Sequence, residues 1–278
     1  MSAYITPFLI IETALLVLFV VVFLYKSFKL SRFTIETLEF RKNYEKQLAA
    51  DKEKEDFLAM LVHELRSPLA VMKGASDLML KDAAKLSKEQ IETLLAQIRT
   101  SSAGMLKIVN DILDVSKMDS GKFEVSRVFG DINKILSDEC SYYAALAGEK
   151  QVKIETKFDD TLPSFNFDPD RIRQVMNNLL SNAIKFAPEG SVVTVGSQKN
   201  QNMAFISISD DGDGIPDELK HKLFHKFVQL DGRNHVKVGG TGLGLVVCKG
   251  IIETHGGKVW IEDNHPKGAK FVFSIPLS

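Results

Sequence analysis

The chain has 278 residues, of which 45% are hydrophobic, and a formal net charge of −1. That is enough for one or two globular domains plus a membrane element, and the balanced charge supplies no basic field for a nucleic-acid partner. Cys140 and Cys248 have no paired or metal-type spacing, which excludes a disulfide scaffold, and the lack of internal repeats excludes solenoid and collagen-like classes.

The first predicted element is "FLIIETALLVLFVVVFLY", residues 8 to 25, apolar except at Glu12 and Thr13. Its length just reaches the roughly 20 residues that span a bilayer as a helix. A cleaved signal peptide is the rival reading, but it requires a basic leading segment, and residues 1–7 carry no Lys or Arg. Lys26, Lys29 and Arg32 follow the apolar run, so the positive-inside bias places the bulk of the chain in the cytoplasm, beneath a cell (inner or plasma) membrane. The expectation is a single-pass anchor over residues 1–27.

Residues 28–52 are rich in Glu, Lys and Arg and lack Pro and Gly, as in an exposed linker helix. A seam through Leu30, Phe33, Thr37, Phe40, Tyr44 and Gln47 leaves a coiled coil open but irregular. The helix continues into "FLAMLVHELRSPL", where Leu58, Leu61, Leu65, Leu69 and Met72 share one stripe. His63 points away from that stripe, with Ser67 one turn on along its own face. A wet, neutral imidazole can act as nucleophile and proton acceptor near neutral pH, although a solvated surface histidine is the commoner case. Pro68 should bend the helix or loosen one of its hydrogen bonds.

A second helix starts at Ser87, whose partner Gln90 completes a capping box, and stops at Gly121. Two amphipathic helices with apolar faces this wide cannot bury them in one hairpin. A homodimer forming a four-helix bundle over residues 53–122 is the expected solution.

From residue 128 to 278 the pattern becomes mixed α and β. A helix over "DINKILSDECSYYAALA" should turn Ile132, Ile135, Leu136, Tyr143 and Leu146 inward, and "QVKIETKF" alternates as a strand. Asp168 before Pro169 opens a capped helix. Strands follow at 191–196, 203–209, 258–262 and 269–275, and helices at 217–226 and 243–255. The class is α+β multidomain, ending in an α/β sandwich with helices covering one sheet.

Three motifs lie in this last region. In "NNLLSNAIKF", Asn178, Asn182 and Lys185 share one helix face, with Leu179, Leu180, Ala183 and Phe186 packed the other way. Two amides and an ammonium suit a hard cation and phosphate oxygens together, though a plain polar face would look the same. "DDGDGIP" follows a strand; Asp210 can accept from an amino group while Gly212 and Gly214 admit a planar ligand. "GGTGLGLVVCKGIIETHGG" runs a glycine loop into a helix N-terminus, a polyphosphate site that is neither a P-loop nor a dinucleotide fingerprint.

Together these segments resemble the sensor histidine kinases of two-component systems. "FLAMLVHELRSPL" resembles the family's H box, "NNLLSNAIKF" its N box, "DDGDGIP" and the glycine loop its two glycine boxes, and "LFHKFVQL" its F box. The resemblance covers residues 53–278 and implies a dimerisation and phosphotransfer bundle followed by a Bergerat-type ATP-binding domain. His63 would attack the γ-phosphate of ATP, and Glu64 would orient the ring and help remove its proton. Asn182 would ligate Mg²⁺, with Asn178 beside it and Lys185 on phosphate oxygens. Asp210 would read the adenine amino group, with Gly212 and Gly214 shaping the pocket. Residues 217–244 would form a lid, anchored by Phe224 and Phe227 and closed by Gly240, Thr241, Gly242, Leu243 and Gly244. The phosphoryl group would pass to an aspartate on a separate response regulator, since no receiver domain fits in this sequence. Members with phosphatase activity often carry Thr or Asn where Ser67 stands; serine also suits positioning a water. With no sensor module legible, a signal would enter through the span or through a partner protein touching it. A plain Bergerat ATPase, a membrane-anchored scaffold with a vestigial kinase site and a predominantly phosphatase member are the alternative classes.

Overall fold

The computed structural model describes residues 5–82, 85–226, 228 and 242–277. They divide into two compact units, Met1–Met60 and Leu61–Ser278.

The first unit is helical, the leading part of α1 (Ile5–Asp82). The anchor expected over residues 8–25 falls largely on side chains outside the described set, which begins at residue 16 and omits 17 and 21. Among the described residues no helix is long and apolar enough to cross a membrane. The coiled-coil seam is likewise only partly described; its Phe40 and Tyr44 are exposed.

In the second unit α1 runs through Pro68 without a break, so the proline does not end the helix. Leu61 and Ala75 are its buried apolar positions, whereas Leu69, placed on the same stripe by its phase, is exposed. α2 (Lys88–Asp119) begins with the predicted capping box: Gln90 Oε1 accepts from the Ser87 amide at 2.8 Å, and Ser87 Oγ accepts from the Gln90 amide at 3.3 Å. It ends as a Schellman turn, with Gly121 left-handed (φ 66°) and the Lys122 N–H donating to Lys117 O.

The rest of the unit is one sheet covered by helices. Strand order is β2-β4-β5-β7-β6, with β2 (Lys153–Lys157) parallel to β4 (Val192–Asn200). The other pairings, through β5 (Met203–Ser209), β7 (Ala269–Pro276) and β6 (Lys258–Asp263), are antiparallel. Alternation sends Val193, Val195, Ala204, Ile206 and Ile208 to the covered face, where α3 (Ile132–Glu149), α4 (Pro169–Phe186) and α6 (Gly244–Thr254) bury Ile132, Leu136, Ile172, Leu179, Leu180, Val247 and Ile251. α4 starts as expected: Asp168 Oδ1 accepts from the Asp170 and Arg171 amides at 3.1 Å each.

Two further expectations are corrected, and one element is new. Leu146 is exposed, because α3 turns Ala147 inward instead. The helix expected over 217–226 is only α5 (Asp217–Lys220) and a 3₁₀ turn, Lys222–Phe224, since Pro216 supplies no side-chain cap and so short a segment cannot sustain itself. A two-stranded ribbon of β1 (Val128–Gly130) and β3 (Phe165–Phe167) was not expected; three residues show no period, and the ribbon is held by the buried rings of Phe165 and Phe167.

Candidate functional site

A cavity of about 470 Å³ opens between the ends of β5 and β7, the outer turns of α4 and the start of α6. That volume is within the range of ordinary ligand pockets. Its polar floor is Asp210, just past β5 and almost fully buried. Asp210 Oδ1 accepts from the Gly212 amide at 2.9 Å and from the Ala269 amide at 3.4 Å. Burial raises its pKa above the usual carboxylate value, and those two donors pull the other way. Asn264 Nδ2 donates to the Asp210 carbonyl at 3.0 Å and fixes the backbone from behind.

The glycines here leave no room for a side chain. A Cβ on Gly212 would lie 2.7 Å from Asp210 Oδ1 and 2.9 Å from the Phe186 carbonyl oxygen. Gly214 has φ +75°, and its Cβ would lie 3.2 Å from Gly268 O. Apolar walls come from Ile215, Leu223, Ala269 and Phe271.

The opposite wall is α4. Asn178 is buried and its Nδ2 donates to Gly244 O at 3.3 Å, tying α4 to the first turn of α6; Asn182 is half-buried and Lys185 exposed, and all three line the cavity. Partial burial lowers the Lys185 pKa, and the nearby Glu64 carboxylate raises it. Phe186 does not pack with Leu179 and Leu180 as expected. It is exposed on the cavity rim with the Lys185 ammonium 5.4 Å from its ring centre.

Gly242 and Gly244 line the cavity where α6 begins, and Leu243 is fully buried between them. Among the described residues no side-chain cap hydrogen bond closes the start of α6, whose first turn carries the positive end of the helix dipole. Phe224 is buried beneath this region. Phe227, Gly240 and Thr241, expected in the lid, lie outside the described residues.

Four residues of the long helices complete the wall: Glu64 of α1, and Lys107, Ile108 and Asp111 of α2. Beside Glu64, the His63 side chain is 73% exposed, with Nδ1 3.7 Å from Glu64 Oε1. Ser67 is exposed as well. The sequence reading missed Lys107, Asp111, Asn264 and Ala269. The first two were hidden on a helix read only for its apolar face, and the others act through a loop and a backbone amide that carry no sequence signal.

Residues 53–121 match the His Kinase A (phospho-acceptor) domain family. Residues 167–278 match the histidine kinase-, DNA gyrase B-, and HSP90-like ATPase family. The hybrid signal transduction histidine kinase D of Dictyostelium discoideum is 35% identical over 245 residues, which cover 86% of this chain and 16% of that protein. The sensor histidine kinase WalK of Bacillus subtilis (strain 168) is 32% identical over 228 residues, 81% of this chain and 37% of WalK. The crystal structure of full-length ShkA in complex with AMPPNP is similar at a TM-score of 0.61 and 26% identity, over 81% of this chain and 46% of that one. The chain thus spans less than half the length of each of these proteins. With a phosphoacceptor-type segment and an ATPase-type segment in one chain, it belongs to the two-component sensor histidine kinases.

Proposed function

We propose that the chain is an ATP-dependent protein-histidine kinase that phosphorylates His63 and passes the phosphoryl group to an aspartate of a separate response regulator. The observation that carries this reading is the position of Glu64: one carboxylate both lines the cavity and lies beside an exposed imidazole.

The adenine amino group donates to Asp210, whose burial leaves its carboxylate poorly solvated and ready for a neutral donor. Phosphates extend toward Gly242, Gly244 and the uncapped N-terminus of α6, with Lys185 contributing positive charge. Among the described residues no cluster of three or more His, Cys, Asp or Glu can hold a metal. Mg²⁺ fits nonetheless, because it takes few protein ligands and an amide oxygen from Asn182, with Asn178 beside it, supplies hard donors. Mg²⁺ would neutralise charge on the transferring group.

With Nδ1 directed at Glu64, Nε2 of His63 is the nitrogen left for attack. Its lone pair forms the N–P bond as the bond from the γ-phosphorus to the β–γ bridging oxygen breaks, and ADP leaves. The ring then loses its Nδ1 proton to Glu64. The regulator aspartate next displaces the phosphoryl group from nitrogen. Ser67, exposed one turn along, would hold a water for the opposite role of regulator dephosphorylation.

The same reading includes a homodimer and a membrane anchor. Val62, Leu69, Leu95, Leu106 and Leu113 are exposed apolar side chains on α1 and α2, a surface suited to a second copy. Leu16, Leu18, Phe19, Val20, Phe23 and Leu24 are exposed around the circumference of α1, and a helix apolar on all sides suits lipid. A signal would then enter through that segment or a partner protein bound to it. The experiment is incubation with Mg²⁺ and γ-labelled ATP: acid-labile, alkali-stable label on the protein, lost in His63→Gln, is expected. Phosphate release from the wild-type protein without protein labelling would replace the reading with a plain ATPase.

A further inference from the structure

The last turn of α4 carries Lys185 and Phe186 into the cavity wall, so its placement sets where the phosphates meet positive charge. The final carbonyls of a helix have no partner within it. Here Ile184 O, Lys185 O and the cap residue's Ala187 O all accept from one ammonium, Lys150 Nζ, at 2.9, 2.6 and 2.8 Å. An ammonium has three N–H donors, so these carbonyls use every one, and a cation here also opposes the negative end of the α4 dipole.

The reach of Lys150 is set by how α3 ends. Gln151 takes the left-handed conformation at φ 56°, where a non-glycine residue is unfavourable, and the Val152 N–H donates to Ala147 O at 2.9 Å. That turn places Lys150 against the end of α4. A second bond joins the same two chain segments, from Gln151 Nε2 to Glu189 Oε1 at 2.6 Å.

We propose that Lys150 is a positioning residue for the nucleotide phosphates: by holding the last turn of α4 it keeps Lys185 in the cavity wall beside Glu64. The inference rests on reading this cavity as an ATP site. Lys150 is not in the cavity lining and acts through α4 alone. Without the ammonium, the three carbonyls at the end of α4 lose the one donor they share, which frees the last turn and Lys185 with it. Asp210 is held by the Gly212 and Ala269 amides and by Asn264, none of them on α4, so recognition of the base should change far less than that of the phosphates.

The test compares binding of Mg-ATP and of adenosine by the 278-residue chain and its Lys150→Met and Lys150→Arg variants. Lys150→Met should weaken ATP about tenfold, the size of one charge-assisted interaction, and adenosine less than about twofold. Lys150→Arg should restore most of the ATP affinity, and adding Lys185→Ala to Lys150→Met should cost little more. Wild-type ATP affinity in Lys150→Met overturns the proposal, as does an equal loss for ATP and adenosine, which marks a staple of the fold rather than of the phosphate end. A wild-type chain that binds neither ligand overturns the nucleotide reading, and this inference with it.

Discussion

Asp114 of α2 and Arg171 of α4 meet at 2.8 Å, and the same carboxylate oxygen, Oδ2, also accepts from Gln174 Nε2 at 2.9 Å. Asp114 is buried, and the Arg171 guanidinium lies 4.7 Å from the centre of the Phe123 ring. The second helix of the phosphoacceptor-type segment is therefore tied to the helix that carries Asn178 and Asn182 through a shielded, doubly donated carboxylate.

Asp114→Ala should lower stability by about 2 kcal/mol, because it leaves a partly buried guanidinium without its counter-charge. A drop in the urea midpoint measures this. Glu155→Ala, which removes the exposed ion pair with Lys153, should leave the midpoint where it was.

Asp111, one turn earlier and also buried, has its pKa pushed up to about 6, first by burial and then by Asp114, against opposing effects of Lys107 and a hydrogen bond from Gln174. The folded state thus holds a proton that the unfolded state releases at lower pH, so this group costs stability as pH rises from about 4 to about 6. Asp111→Asn should raise the urea midpoint at pH 8, and the gain should vanish at pH 4.

His255 works in the opposite direction. It is buried and neutral, with Nε2 accepting from the Asp168 amide at 3.0 Å and Nδ1 donating to Ile251 O at 2.8 Å. Its pKa is lowered, chiefly by burial and further by Arg127, while the Ile251 bond and Asp168 raise it. A depressed histidine contributes stability that is full above its ordinary value, about 6.5, and is lost as pH falls below it. Urea midpoints between pH 8 and pH 5 should fall more steeply in the wild type than in His255→Gln.

Gly212→Ala should weaken ATP binding more than tenfold while far-UV circular dichroism is retained, since the new methyl displaces the Asp210 carboxylate or the Phe186 carbonyl. Gly190→Ala is the control. A Cβ there opens on empty space and is not in the cavity lining, so although its φ of +77° makes alanine locally strained, ATP binding should be unchanged.

Much of this was legible in the sequence, where local chemistry decides local structure. The Ser87–Gln90 box, the Asp168–Pro169 start, the Gly121 stop and the strand over 203–209 each depend on neighbouring residues, and each folds as read. The exposure of His63 followed from helical phase alone. What failed depended on tertiary partners. Phe186 sits on the rim because the cavity replaces the core at the end of α4, Leu146 yields the inward position to Ala147, and β1 and β3 exist only as a pair. Lys150 and Lys107 could not be found by pattern, since a lysine's reach is decided by where its helix ends or by what faces it.

The most direct measurement is mass-spectrometric mapping, at alkaline pH, of the phosphoryl group on the 278-residue chain after turnover with Mg-ATP. The account predicts phosphate on His63, loss of more than 99% of it in Asn182→Ala, of the order expected when a group acting on the transferring phosphoryl is removed, and adenosine binding retained in that variant. ATP consumed with His63 unmodified, or phosphate mapped to any other residue, would contradict it.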